Sequence, residues 1–191
     1  FHQRALQGYM ATMEHFIQQY LEKWTRLGTF RWLDENKELT FAIASKLLMG
    51  SEPGQQSARL SRLFTQMTNG FVTVPVNWPW TPYGKALRAR DKLLDHIESA
   101  VLQRQQDPTT DALSLMIQSR DETGKALSMR ELKAQTLLML FAGHETSASM
   151  MTTFVMALAQ HPEVMARARE EQEALNIDGP LTMDHIKGMV Y

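Results

Sequence analysis

The chain has 191 residues, of which 43% are apolar and 21% charged, and a formal net charge of −1. Its charges are interspersed rather than gathered in blocks, so nothing in them favours nucleic acid as a partner. It has no cysteine, which excludes disulfides, zinc fingers and thiol nucleophiles, and its longest apolar run near the middle, Leu137 to Gly143, is far too short to cross a bilayer.

The first predicted element is a helix from Ala5 to Trp24, where Leu6, Met10, Met13, Ile17, Leu21 and Trp24 recur at three-to-four spacing and Gly28 marks the exit. A second helix is expected from Glu35 to Met49, with Leu39, Ile43, Leu47 and Leu48 inward and Gly50 as its C-terminal stop. Ser57 to Thr68 reads as a third. Pro82 to about Gln106 reads as a long amphipathic helix with Leu87, Leu94, Ile97 and Val101 on one side. Asp107-Pro108 breaks it, and Thr110 is placed to cap a short helix through Ser119.

Ser128-Met129-Arg130-Glu131 is a capping box, and no proline occurs after it until Pro162. One helix from about Met129 to Gln160 is therefore expected, about 45 Å long at 1.5 Å per residue, with a distortion near Ala142 to Thr146. Pro162 suits the first position of another helix, with Glu163, Arg167 and Glu171 spaced as opposite-charge pairs. Asn176 to Pro180 ends it, and Thr182 is placed to cap a last short turn. No strand alternation is longer than Val72 to Val76, so the fold class is mainly α, a helical core around one long central helix.

The segment GFVTVPVNWPWTPYGK, Gly70 to Lys85, carries three prolines and cannot be helical, yet it holds Phe71, Val72, Val74, Val76, Trp78 and Trp80. Two readings stand: a loop folded back on the core, or a hydrophobic lid over a greasy ligand or a membrane face.

Several standard sites are absent: His-Glu-x-x-His, the paired Glu-x-x-His of di-iron bundles, Gly-x-Gly-x-x-Gly, the phosphate-binding loop and the Gly-x-Ser-x-Gly elbow. What remains is LLMLFAGHETSAS, an apolar stretch interrupted by Gly143, His144, Glu145 and Thr146. Ala142 and Thr146 are four apart and share a face, and small residues at 142 and 143 let something flat approach the backbone. The Thr146 hydroxyl can bond back to the Ala142 carbonyl or release it to water. Beside Glu145 this makes a short proton relay. The same residues also fit plain helix packing, with Glu145 paired to an arginine.

Ala142-Gly143-His144-Glu145-Thr146-Ser147 resembles the oxygen-activation signature on the central helix of the cytochrome P-450 family, the haem-thiolate monooxygenases. The succession Ala159-Gln160-His161-Pro162-Glu163-Val164, Leu181-Thr182 and Met189-Val190-Tyr191 is similar to the family's segments C-terminal to that helix. The resemblance covers essentially the whole chain and is most specific from 128 to 191. FAIASKLLMG, FVTVPVNWPWTPYGKALRAR and DALSLMIQSRDETGKALSMRELKAQTLLMLFAGHET look most like the retinoic-acid-hydroxylating branch and its cyanobacterial relatives.

The resemblance implies that Ala142, Gly143 and Thr146 border the distal face of haem. Thr146 would hydrogen-bond the iron-bound oxygen and Glu145 would pass protons inward. Phe71, Val72, Val74, Trp78, Trp80, Leu138, Phe141 and Ala142 would face an apolar, retinoid- or terpenoid-like substrate, with the Trp78 and Trp80 loop as lid. Dioxygen and electrons from a ferredoxin- or flavoprotein-type donor would complete the reaction, in a cytoplasmic or membrane-peripheral setting.

Neither apolar stretch supplies a cation, so a substrate carboxylate is expected to be met by residues outside these 191 or left near solvent at the channel mouth. The chain departs from the family in lacking the cysteine thiolate, the Glu-x-x-Arg motif and the tryptophan–arginine haem clamp. Residues 1–191 are thus expected to form a single incomplete domain, the middle of a longer enzyme, with no metal ligand of its own and no turnover alone. A haem-free helical module for apolar ligands and a purely structural helical domain are the alternatives.

Overall fold

The computed structural model describes residues 3–52 and 54–190. Among the described residues eight α-helices occur in order: α1 (Gln3–Leu27), α2 (Trp32–Met49), α3 (Gln55–Thr68), α4 (Pro82–Gln106), α5 (Ala112–Gln118), α6 (Met129–Gln160), α7 (Pro162–Leu175) and α8 (Met183–Gly188). A 3-10 turn, Asn69–Val72, continues α3. Among the described residues no strand occurs. An isolated backbone bridge pairs Arg120 with Ala126, and Val72 to Val76 is not part of a strand. The predicted mainly α class and the long central helix are both present.

Most helix ends follow from local chemistry. Thr81 caps α4 by accepting from Gly84 N, with Pro82 in the first turn. Pro162 opens α7, and Thr182 with His185 forms a reciprocal cap on α8. Asn176 ends α7 in the left-handed region, at φ 43°. Several boundaries differ from expectation: α1 spans Gln3–Leu27 rather than Ala5 to Trp24, and α3 begins at Gln55 rather than Ser57. α2 begins at Trp32, because Asp34 and Glu35 in its first turn complement the helix dipole. The cap of α5 is Asp111 rather than Thr110: the Asp111 carboxylate accepts from Ser114 N at 2.8 Å. α6 runs as one α-helix from Met129 to Gln160, through 142–146, as the capping box and Pro162 predict.

The contacts group into two compact units, Phe1–Leu39 with Thr146–Tyr191, and Thr40–Glu145. In the first, Phe16 and Leu39 are buried. Trp24 lies 5.6 Å from Phe30 and 5.1 Å from Trp32 between ring centroids. Its indole N–H donates to Glu35 at 2.7 Å, and Lys23 bridges Glu35 and Glu38. Burial, then the charge of Glu38, pushes the Tyr20 hydroxyl up to about 12.

The second unit has a conventional core of Phe41, Leu48, Leu60, Phe64, Leu93, Ile97, Val101, Leu113 and Leu140. The buried face of α4 is Ala86, Ala89, Leu93, Ile97 and Val101, whereas Leu87 and Leu94, expected inward, are only half-buried. At the far end of α4, Arg104 donates to Asp111 at 2.6 Å and to the Met49 carbonyl at 2.7 Å. This ties three helix ends together through one guanidinium.

Candidate functional site

The start of α6 matches its sequence signal. Ser128 N donates to Glu131 at 2.8 Å while Ser128 Oγ accepts from Glu131 N at 3.3 Å. From there Leu132, Thr136, Leu140, His144 and Ala148 are buried, one every four residues, which puts them in a single stripe along the helix. His144 is wholly buried. Its ring meets Phe41 and Phe64 edge-on, with centroids 5.4 and 5.2 Å away.

Burying His144 turns its neighbours outward. Ala142, Gly143 and Thr146 are exposed, and a Cβ added at Gly143 would meet no atom within 4 Å. Glu145 sits between the two sides. Its side chain is 21% exposed, its Oε1 accepts from Thr68 Oγ1 at 3.4 Å, and the same oxygen lies 3.7 Å from His144 Nε2. Sequence reasoning took His144 only as a letter of the motif. Its place in the four-residue recurrence of buried positions was the signal for its packing role.

Within the second unit a cavity of about 570 Å³ lies among the 3-10 turn, α4 and the first half of α6. Of the residues expected to face substrate, Phe71, Leu138 and Phe141 line it, and the Phe71 and Phe141 rings meet 5.7 Å apart. Val72, Val74, Trp78, Trp80 and Ala142 are not among its walls. The loop is not folded into the core: Val72 is 89% and Trp80 68% exposed, and Trp78 packs on Trp80 at 5.4 Å. Its root is nonetheless fixed. Arg88 hydrogen-bonds the Pro79 carbonyl, and a Cβ at Gly84 would stand 1.9 Å from the Trp78 carbonyl oxygen, so only glycine fits there. Sequence reasoning missed Tyr83 and Arg90, which α4 also brings to the cavity wall.

The cytochrome P450 family pattern matches residues 28–191. The chain is 37% identical over 190 residues to cytochrome P450 120 of Synechocystis sp., covering 98% of this chain and 43% of that protein. It is 31% identical over 204 residues to cytochrome P450 26B1 of Xenopus tropicalis, covering 100% of this chain and 40% of that protein. The solved structure of retinoic acid bound cyanobacterial CYP120A1 superposes with a TM-score of 0.87 at 36% identity, over 99% of this chain and 44% of that one. The haem domain of cytochrome P450DA, 23% identical with a TM-score of 0.84 over 97% of this chain and 43% of that one, shares the fold. This chain belongs to the cytochrome P450 family. It spans 43% and 40% of the length of the two curated relatives above.

Haem is the cofactor that the family implies. The outward side of α6 fits a flat macrocycle in two respects: Ala142 and Gly143 present almost no side chain, and the space beside Gly143 is open. The chain contains no thiolate for the iron, since it has no cysteine.

Proposed function

We propose that this chain is the distal, substrate-facing part of a haem-thiolate monooxygenase that hydroxylates a long apolar molecule of retinoid or terpenoid type. The observation that carries the reading is the apolar cavity lined by Phe71, Leu138 and Phe141, one turn of α6 before the exposed Ala142 and Gly143. Retinoic acid is bound in the cyanobacterial structure to which the chain is similar, and that supports a retinoid here.

Bound haem would supply the activation of dioxygen, one atom going into a C–H bond and the other leaving as water with two electrons and two protons. Ala142 and Gly143 keep the approach to it clear of bulk. Thr146 offers a hydroxyl at the exposed side of the helix. Glu145, partly exposed and accepting from Thr68, takes a proton at Oε1 and hands it toward Thr146 Oγ1. The cavity holds the substrate tail against Phe71, Leu138 and Phe141, and the Val72, Val74, Trp78 and Trp80 loop closes over it as a lid.

Electrons come from a ferredoxin- or flavoprotein-type donor, in a cytoplasmic or membrane-peripheral setting. Among the described residues no helix is long and apolar enough to cross a membrane. The test is a spectral titration of the intact haem protein with retinoic acid and with small polar compounds. A haem response to retinoic acid alone is expected. Tight binding of the polar compounds with no retinoid response overturns the reading.

A further inference from the structure

Among the described residues, the cavity beside α6 has one charged side chain in its lining, Arg90, and one hydroxyl, that of Tyr83. Both come from α4, seven residues and therefore about two turns apart, so they share a face with Leu87 half-buried between them. The other walls are apolar, Met67, Phe71, Leu138 and Phe141 among them. The neighbouring Asp91 pairs with it, accepting from Nη2 at 2.8 Å and from Nε at 3.1 Å.

That pair is weak and incomplete. Both side chains are about half exposed, at 47% and 58%, and ion pairs of that kind contribute little. A guanidinium has five N–H donors, and the two bonds to Asp91 engage two of them. The remaining donors are available to a second carboxylate, in the geometry that arginine favours. A carboxylate inside an apolar cavity is strongly disfavoured unless a cation and hydrogen bonds meet it. A cavity with such a cation in its wall thus fits an amphipathic acid whose tail lies on the aromatic side chains.

We propose that Arg90, assisted by the Tyr83 hydroxyl, is the head-group site that selects an ionised carboxylic acid over neutral molecules of the same skeleton. The proposal rests on reading this cavity as the substrate site, and it supplies from α4 the cation that the Phe71 to Trp80 loop and the α6 wall lack. Asp91 acts as a competing internal anion, which the substrate carboxylate displaces or shares.

The experiment uses the intact haem protein and measures dissociation constants for retinoic acid and for its methyl ester by spectral titration and by fluorescence quenching. For Arg90→Gln, loss of a charge-assisted hydrogen bond at a half-exposed site should weaken the acid about tenfold and leave the ester within about twofold. Tyr83→Phe should weaken the acid by about threefold. Asp91→Asn should tighten the acid and not the ester, a result that a merely structural arginine would not give. Thermal midpoints close to the unmodified protein's show that the variants are folded.

Parallel changes for acid and ester in Arg90→Gln, or an acid affinity that this substitution leaves untouched, would overturn the head-group site. If the unmodified protein binds acid and ester equally well, the head-group site falls while the substrate cavity stands. If it binds neither, the substrate reading of the cavity falls and the head-group site with it.

Discussion

The Thr40 hydroxyl lies 3.0 Å from Nδ1 of His144 and donates to the His144 carbonyl at 3.2 Å, joining α2 to the middle of α6 inside the second unit's core. A hydroxyl has one proton and two lone pairs, so donation to the carbonyl leaves it to accept from an Nδ1–H tautomer. The bond also fixes which way α6 is rolled. With His144 held inward, Ala142, Gly143 and Thr146 face outward.

Loss of that anchor should be costly. His144→Ala removes a wholly buried ring from between Phe41 and Phe64 and leaves the Thr40 hydroxyl without its ring partner. A stability loss of about 2–4 kcal/mol is expected, and about 1–2 kcal/mol for Thr40→Val. Urea denaturation of the intact protein measures both. A loss under about 1 kcal/mol for His144→Ala would show that the helix is not registered by this residue.

Gly50 and Gly28 allow a controlled comparison. Both adopt positive φ, 66° and 69°. A Cβ at Gly28 meets nothing, whereas at Gly50 it falls 2.5 Å from Arg104 Nη2 and 3.1 Å from Asp111. Gly28→Ala should cost the backbone penalty alone, about 1–2 kcal/mol. Gly50→Ala should cost clearly more, because Arg104 must leave the Met49 carbonyl. Equal losses in thermal denaturation would refute the part given to Arg104.

Asp111 sets an acid limit. Burial acts to raise its carboxyl, but the Arg104 hydrogen bond and those from Ser114 and Thr109 outweigh it and hold the group below its ordinary 3.8. A carboxyl lowered in the folded state stabilises fully above the unfolded value and loses that contribution as pH falls through the folded one. Asp111→Asn should therefore be less stable than the unmodified protein at neutral pH. The gap should narrow as pH falls below about 3.8, as urea midpoints between about pH 7 and about pH 2.5 would show. A gap independent of pH would contradict this.

Gly143 separates helix stability from cofactor binding. Alanine there meets no neighbour, so in the haem-free protein Gly143→Ala should stabilise by about 0.5–1 kcal/mol. With haem bound, the added methyl should weaken retention or shift the absorption spectrum. Stabilisation with unchanged haem retention and spectrum would place the cofactor elsewhere.

Thr146→Ala in the intact enzyme should leave substrate affinity nearly unchanged and divert reducing equivalents to hydrogen peroxide. The ratio of product formed to electrons consumed is the measurement. A ratio equal to that of the unmodified enzyme would remove Thr146 from the proton path.

Much of this protein is local and was legible in the sequence. Ser128 with Glu131 marks the start of α6 through bonds within one turn, and Pro82 and Pro162 open α4 and α7 through their fixed φ, so these helices begin where their residues say. The motif from Ala142 to Ser147 pointed to the family for the same reason, since its residues are contiguous. Three features depended on partners far along the chain. His144 is buried because α2 brings Thr40 and Phe41, and α3 brings Phe64. Leu93 rather than Leu94 is the more deeply buried of the two because packing sets the roll of a helix, which periodicity leaves uncertain by about one position. Arg90 reads in sequence as one more surface charge beside Asp91. Only the packing of α4 beside α6 and the 3-10 turn makes it a cation in the wall of an apolar cavity, because charge acquires meaning from the dielectric and the partners around it.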